Sequence, residues 1–338
     1  MSTARKVFID GPAWVGDMVM AQTLFKLLKQ NEPAITIDVL APAATRPLLE
    51  RMPEVNRIWT SPFQHGDLSI QRRYQFAKQL KSMEYHWAIV LRNSYKSALI
   101  PYWANIPRRT GWLGEWRYGV INDWRQLNKE RHPLMIERFM ALALEKNATL
   151  PNPYPQPALI VTENSVTATL KNLNLTHSHE PLLILCPGAE YGPAKRWPME
   201  YYADVAKVKL KHGWRVWLLG SKKEKDITDQ MNQLNEGHCV DLAGRTTLTE
   251  AIDLLSLATL VVSNDSGLMH IAAALGRKIV VLYGSSSAKF TPPLTQHAKM
   301  LSLNLACSPC FKKECPFGHL NCLKKLSVNE VLTAMDEG

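Results

Sequence analysis

The feature that most constrains the fold of this chain is an alternation of short apolar runs with longer amphipathic segments, which occurs twice. Buried runs rich in β-branched residues and separated by helices are typical of parallel sheets covered on both faces. The predicted strands are Lys6–Ile9, Ile35–Leu40, Trp87–Leu91, Leu182–Cys186, Trp214–Leu219, Leu260–Ser263 and Ile279–Tyr283. The predicted helices between them are Met18–Lys29, Tyr201–Lys211, Leu248–Leu257 and Met269–Leu275.

A proline-rich segment separates the two sets of strands and helices. Residues 151–157 contain four prolines, which preclude a helix and suit a semi-rigid connector. A polar helical piece, Glu163–Leu173, then leads to the second set, which opens at Leu182. We therefore predict two Rossmann-like, doubly wound α/β domains facing a central cleft, residues 1–160 and 161–338, with a linker at about 151–180. The last helix is a candidate to pack back on the first domain.

The charge balance favours acidic partners. The chain of 338 residues has a formal net charge of +10, which favours nucleic acid, an anionic membrane surface or a phosphorylated substrate. Basic residues are spread along the chain and no nucleic-acid-binding motif is found, so a phosphate-bearing surface or substrate is favoured. No apolar run approaches the roughly 20 residues of a membrane-spanning helix. The N-terminal segment lacks the pattern of a secretory signal, so we expect a cytoplasmic protein.

The loop after the first predicted strand, Gly11–Asp17, is a candidate catalytic segment, because ligands of open α/β sheets bind beyond the carboxyl ends of the strands. Asp17 could accept a proton from a substrate hydroxyl. It could equally cap the helix that begins here. The loop does not have the Gly-x-Gly-x-x-Gly pattern, which argues against an NAD-dependent oxidoreductase.

Two further loops have the composition of an anion site. Cys186–Pro198 combines small residues with Lys195 and Arg196, two cations suited to a diphosphate, but lacks the Gly-Lys-Ser/Thr ending of a P-loop. Ser263–His270 runs from a strand end into a helix, whose free N–H groups bind anions. In the alternative interpretation this segment is an Asx-type cap and His270 is a buried core histidine.

Four of the six cysteines lie close together near the C-terminus, as Cys307, Cys310, Cys315 and Cys322, with His319 among them. In a reducing cytosol such a group indicates metal binding or free thiols rather than disulfides. Four thiolates could hold a structural zinc. A basic metal- or nucleic-acid-binding protein is therefore the alternative of another class, and it predicts steeply salt-dependent nucleic-acid binding.

Several segments carry a family resemblance. They are GPAWVGDMVMAQ, PGAEYGPAKRWP, SNDSGLMHIAAALGRKIVVLYG, APAATRPLLERMPEV, RNSYKSALIPYWANIPRRTGWLGEWRYG and FTPPL, which together cover nearly the whole chain. These segments resemble the ADP-heptose:lipopolysaccharide heptosyltransferases of glycosyltransferase family 9. Within that family they are most similar to the branch that adds the second heptose of the lipopolysaccharide inner core.

The resemblance implies a GT-B fold and inversion at the anomeric carbon, with no cofactor and no metal for catalysis. It implies ADP-L-glycero-D-manno-heptose as donor and the first heptose of heptosyl-Kdo-lipid A as acceptor. Transfer to a different core heptose stays open as an alternative. The first domain would bind the acceptor and the second the donor. We expect peripheral contact with the anionic inner membrane and no nucleic-acid partner.

The resemblance also assigns roles to residues. Asp17 corresponds to the catalytic base and Lys195 to a phosphate-binding lysine. The expected donor-binding residues are Ala189, Glu190, Lys195, Glu224, Asp265, Ser266, Gly267, Leu268 and His270. The expected acceptor-binding residues are Arg92, Lys96, Arg109 and Arg117, from a wider basic set that also contains Arg46, Arg72, Arg73 and Arg108.

Overall fold

The computed structural model describes residues 4–63, 66–176 and 178–337. The chain divides into two compact units, Met1–Pro157 and Ala158–Gly338. The boundary falls at the last proline of the proline-rich segment. Within the described residues, no helix is both long enough and apolar enough to cross a membrane.

The first unit contains one six-stranded parallel sheet in the order β3-β2-β1-β4-β5-β6. Its strands are β1 Lys6–Asp10, β2 Thr36–Ala41, β3 Val55–Thr60, β4 Trp87–Val90, β5 Arg108–Trp112 and β6 Asp123–Arg125. Its helices are α1 Val15–Asn31, α2 Arg46–Leu49, α3 Ile70–Lys81, α4 Tyr95–Trp103 and α5 Met135–Ala143, with a 3-10 turn at Ala43–Thr45.

The second unit contains another six-stranded parallel sheet, in the order β12-β11-β10-β7-β8-β9. Its strands are β7 Leu182–Cys186, β8 Arg215–Leu218, β9 Val240–Asp241, β10 Leu260–Asn264, β11 Lys278–Leu282 and β12 Ala298–Leu301. Its helices are α6 Glu163–Asn172, α7 Met199–Lys211, α8 Lys225–Leu234, α9 Leu248–Ser256, α10 Gly267–Ala274, α11 Asn321–Lys324 and α12 Val328–Asp336, with 3-10 turns at Pro193–Lys195 and Lys222–Glu224.

The two sheets have the same strand order when each is counted from its own first strand, namely 3-2-1-4-5-6. This order is that of doubly wound dinucleotide-binding folds, so the predicted Rossmann-like class is confirmed for both units. The direction in which successive strands are added to the sheet reverses between β1 and β4 in the first unit and between β7 and β10 in the second. Ligands of such sheets bind at this switch point, beyond the carboxyl ends of the strands.

All seven predicted strands are present, each within one residue of its predicted ends. The strands that the pattern missed are β3, β5, β6, β9 and β12. They lie toward the outer parts of the sheets, and β3 and β12 keep much of their surface in solvent. A solvated strand needs no continuous apolar run, so its sequence does not stand out from that of a loop.

The core of the second unit fixes the loop that follows β7. Trp197 is 2% exposed, and its indole N–H donates to the carbonyl of Leu326 at 2.9 Å. Its ring meets that of Tyr202 edge-on, with centroids 5.0 Å apart. The last helix, α12, packs against α7, β11 and β12, so its buried face belongs to this same core.

Candidate active site

Lys195 and Asp265 meet at the switch point of the second sheet. Lys195 lies in the loop after β7, and Asp265 follows β10, the strand that pairs with β7. The Lys195 ammonium is 2.5 Å from Oδ2 of Asp265, and both side chains are largely buried. This ion pair lies at the edge of the sheet formed by the carboxyl ends of its strands. A lysine held in this way can contact phosphate while its partner stays beside it.

Asn264 joins the loops that follow β7 and β10. Its side chain is fully buried and accepts from the main-chain N–H of Trp197 at 3.0 Å. The same side chain donates to the carbonyls of Pro187 at 2.7 Å and Gly188 at 3.3 Å. One amide group therefore holds both ends of the loop that carries Lys195.

Helix α10 begins at the same place with an open N-terminus. Its N-cap is Ser266, whose side chain makes no capping hydrogen bond. Gly267 and Leu268 form the first turn, so their main-chain N–H groups have no partner within the helix. Such groups bind anions. His270 is 5% exposed, and burial lowers its pKa to about 4, a shift that the nearby Lys195 favours and Asp265 opposes.

Glu224 has a structural task at this edge. It is 4% exposed, and its carboxylate accepts from the N–H of Ser221 at 2.8 Å and from its hydroxyl at 2.5 Å. Its other oxygen is 3.7 Å from the Arg196 guanidinium. A Cβ on Gly188 would lie 2.7 Å from Cγ of Glu224, so a larger residue there would displace the Glu224 side chain. Contact between Glu224 and a donor stays a prediction.

The remaining two predicted donor residues differ in exposure. Ala189 is 2% exposed, and its carbonyl accepts from Arg196 at 3.4 Å. Glu190 is exposed and forms an ion pair with Lys223. The loop therefore presents charged groups of both signs beside the Lys195–Asp265 pair.

The cysteine-rich segment does not form the zinc site that its spacing suggested. In residues 4–63, 66–176 and 178–337, no three His, Cys, Asp or Glu side chains come together as a metal-binding group. All four thiols are free, and Cys322 is buried. Main-chain N–H groups, that of Leu320 foremost, lower the pKa of the Cys315 thiol. The described residues therefore give no support to a structural zinc.

Asp17 lies in the first turn of α1, directly after β1 at the carboxyl edge of the first sheet. An acidic side chain here is favoured by the helix dipole, so a helix-stabilising role and a catalytic role are compatible. A Cβ on Gly11 would lie 2.9 Å from Cε of Met18 and 3.1 Å from the carbonyl oxygen of Leu40. A larger residue at position 11 would therefore displace the end of Met18 and crowd the main chain of β2.

A buried carboxylate and three arginines occupy the switch point of the first sheet. Asp10 ends β1, is fully buried and forms an ion pair with Arg92, which follows β4. Burial raises the pKa of Asp10, while Arg92, Arg73 and Arg117 oppose that shift. Arg117 is also fully buried and donates to the carbonyls of Arg92, at 2.7 Å, and Trp112. Arg117 therefore holds the main chain at Arg92 in place. To contact an acceptor substrate, Arg117 would have to break its hydrogen bonds to Arg92 and Trp112.

The other predicted basic residues fall into different environments. Arg109 donates to two main-chain carbonyls at 2.6 and 2.7 Å. Lys96 is half-buried in the first turn of α4. Arg46 and Arg108 form ion pairs with carboxylates, and Arg72 is exposed. Sequence reasoning could not separate these cases, because charge alone does not show which guanidiniums the fold uses internally.

Sequence reasoning missed two residues that organise these edges, Asn264 and Asp10. Asn264 lies inside the motif Ser263–His270, and a polar residue ending an otherwise apolar strand is the signal that could have found it. Asp10 ends the first apolar run in the same way. Both are polar residues at the carboxyl end of a strand that adjoins a switch point.

Two Rossmann-like units with ligand-type residues at both switch points fit the GT-B fold class of glycosyltransferases. The family model described as glycosyltransferase family 9 (heptosyltransferase) matches residues 73–321. This chain belongs to glycosyltransferase family 9, the heptosyltransferases.

Individual relatives agree with that membership. The chain is 47% identical over 307 residues, 88% of each chain, to a Salmonella typhimurium protein named lipopolysaccharide heptosyltransferase 2. It has the same identity and coverage with the Escherichia coli protein of that name. Among solved structures, the Escherichia coli ADP-heptose lipopolysaccharide heptosyltransferase II superposes with a TM-score of 0.88, at 42% identity over 98% of each chain.

Proposed function

We propose that this enzyme transfers L-glycero-D-manno-heptose from ADP-heptose to the first heptose of heptosyl-Kdo-lipid A, in lipopolysaccharide inner-core biosynthesis. The observation that carries the proposal is the 47% identity over 88% of the chain to proteins named lipopolysaccharide heptosyltransferase 2. The match covers 88% of those relatives as well, so it extends over most of both proteins.

In this proposal the second unit binds the donor. The diphosphate contacts the Lys195 ammonium and the main-chain N–H groups at the start of α10, near Ser266 and Gly267. Asp265, already beside Lys195, accepts hydrogen bonds from sugar hydroxyls. Negative charge builds on ADP as the glycosidic bond breaks, so these contacts strengthen in the transition state and speed the chemical step.

Asp17 acts as the general base. It takes the proton from the acceptor hydroxyl as that oxygen attacks the anomeric carbon, and ADP departs from the opposite face. The result is inversion, with no metal assigned a step. A positioned general base is worth about 10²–10⁴-fold in rate.

The acceptor would explain the chain's positive charge. A phosphorylated glycolipid presents anionic groups, for which Arg92 and Lys96 at the edge of the first sheet are the candidate contacts. Because the acceptor is a lipid, we propose that the protein works in the cytoplasm, in peripheral contact with the inner membrane. Binding to anionic vesicles at low salt that disappears at high salt is expected. Vesicles that fail to bind at low salt would refute the membrane contact.

The test is ADP release from ADP-heptose with three acceptors: none, Kdo-lipid A and heptosyl-Kdo-lipid A. We expect release only with heptosyl-Kdo-lipid A. Equal release with Kdo-lipid A would assign the enzyme to a different core heptose. No release with any acceptor, from protein that still binds ADP, would refute heptose transfer to these acceptors.

A further inference from the structure

The cysteine-rich segment packs against the loop that carries Lys195. The N–H of Ala194 donates to the carbonyl of Lys313 at 3.0 Å, and the hydroxyl of Tyr191 donates to the carbonyl of Phe311 at 2.8 Å. A Cβ on Gly192 would lie 2.5 Å from the carbonyl oxygen of Lys313. Because that neighbour is main chain and cannot swing away, the close approach of the two segments requires glycine at this position.

The same contact brings two ammonium groups to one aromatic ring. The Lys195 ammonium is 5.2 Å from the centroid of the Tyr191 ring, and the Lys313 ammonium is 5.9 Å from it. Cations within about 6 Å of a ring centroid are attracted to the ring face. Tyr191 therefore organises both lysines beside the start of the donor loop.

The two lysines differ in their charge balance. Lys195 is paired with Asp265, whereas no carboxylate of the described residues lies within ion-pair distance of Lys313. Lys313 is also exposed. A diphosphate carries more negative charge than the Lys195–Asp265 pair can balance, since Asp265 already offsets Lys195. A second cation at this position would supply the missing positive charge.

We propose that Lys313, delivered by the cysteine-rich segment and aligned by Tyr191, is a second cation for the diphosphate of the nucleotide donor. The proposal rests on the proposed function for the identity of that donor. It gives residues 307–319 a task that needs no metal. The segment supplies Lys313 from a position more than 100 residues away from Lys195 in the chain.

The test is calorimetric binding of ADP and AMP to the full-length protein, parent against Lys313→Ala. We expect the Kd for ADP to rise about fivefold and its salt dependence to weaken. The Kd for AMP should change less, because AMP lacks the second phosphate. The matched control is Lys312→Ala, which removes the same charge from the exposed neighbouring position. Lys313→Arg should retain most of the ADP affinity.

A second pair of variants tests the alignment by Tyr191. Tyr191→Phe keeps the ring but removes the hydroxyl that bonds Phe311, so ADP affinity should fall in the same direction. Tyr201→Phe is its control, because the Tyr201 hydroxyl also donates to a main-chain carbonyl, that of Lys324, at 3.2 Å. An unchanged ADP Kd in Lys313→Ala, or an equal loss in Lys312→Ala, would overturn the proposal. If the parent itself does not bind ADP, the proposed donor is wrong instead.

Discussion

Replacing Asn264 by Ala should damage both the stability of the second unit and its nucleotide site. The change removes the side-chain oxygen that accepts from the Trp197 N–H and the amide nitrogen that donates to the Pro187 carbonyl. Trp197 and Pro187 are both buried, so neither group can easily find a new partner. Each buried polar group left without a partner costs about 1–3 kcal/mol, so the loss of two partners should lower the free energy of unfolding by about 2–6 kcal/mol. Urea unfolding followed by circular dichroism measures this loss.

Nucleotide affinity should also fall, because Asn264 holds the loop after β7 and that loop carries Lys195. The hydrogen bond at risk is the one from Lys195 to the diphosphate. A hydrogen bond to a charged group contributes about 1.5–3 kcal/mol, so its loss should raise the Kd for ADP about tenfold or more. The matched control is Asn235→Ala. Asn235 is also a buried asparagine of the second unit, and its amide donates to the carbonyls of Ala203 at 3.1 Å and Met231 at 2.9 Å.

Asn235→Ala should lower stability but leave the ADP Kd unchanged, since its partners lie on α7 and α8. The reasoning is refuted if Asn264→Ala unfolds at the parent's urea concentration. It is also refuted if both variants lose ADP affinity equally, because the effect would then be one of general destabilisation.

Three further outcomes are expected. Asp17→Asn should lower turnover by about 10²–10⁴-fold with an unchanged Kd for ADP, measured by single-turnover kinetics; turnover near the parent's would exclude Asp17 as base. His270, whose pKa is lowered to about 4 in the folded protein, stays neutral there while the unfolded chain binds a proton below about pH 6.5. Stability should therefore fall as the pH drops from 6.5 to 4, by about 3 kcal/mol from this residue, and His270→Gln should flatten that part of the pH profile of urea unfolding. Dialysis against EDTA should leave acceptor-dependent ADP release unchanged, and a loss that zinc restores would contradict the free-thiol interpretation of Cys307, Cys310, Cys315 and Cys322.

The sequence by itself determined the central strands and the class of fold. Runs such as Leu182–Cys186 and Leu260–Ser263 are buried on both faces, so every residue in them is apolar or small and the pattern is unambiguous. The motifs that follow these runs could also be located, because a parallel sheet brings the carboxyl ends of its strands to one edge. Lys195, Asp265 and Asp17 were found in this way.

Only the tertiary structure decided which charged side chains are buried on partners within the protein and which remain accessible to a ligand. Arg92 and Arg117 look alike in the sequence, yet Arg117 is fully buried on main-chain carbonyls while Arg92 is paired with Asp10 and partly exposed. The approach of Lys313 to Tyr191 joins segments more than 100 residues apart, which no local pattern encodes. Hydrophobic periodicity reports burial along one element, whereas the pairing of a charge depends on the elements packed against it.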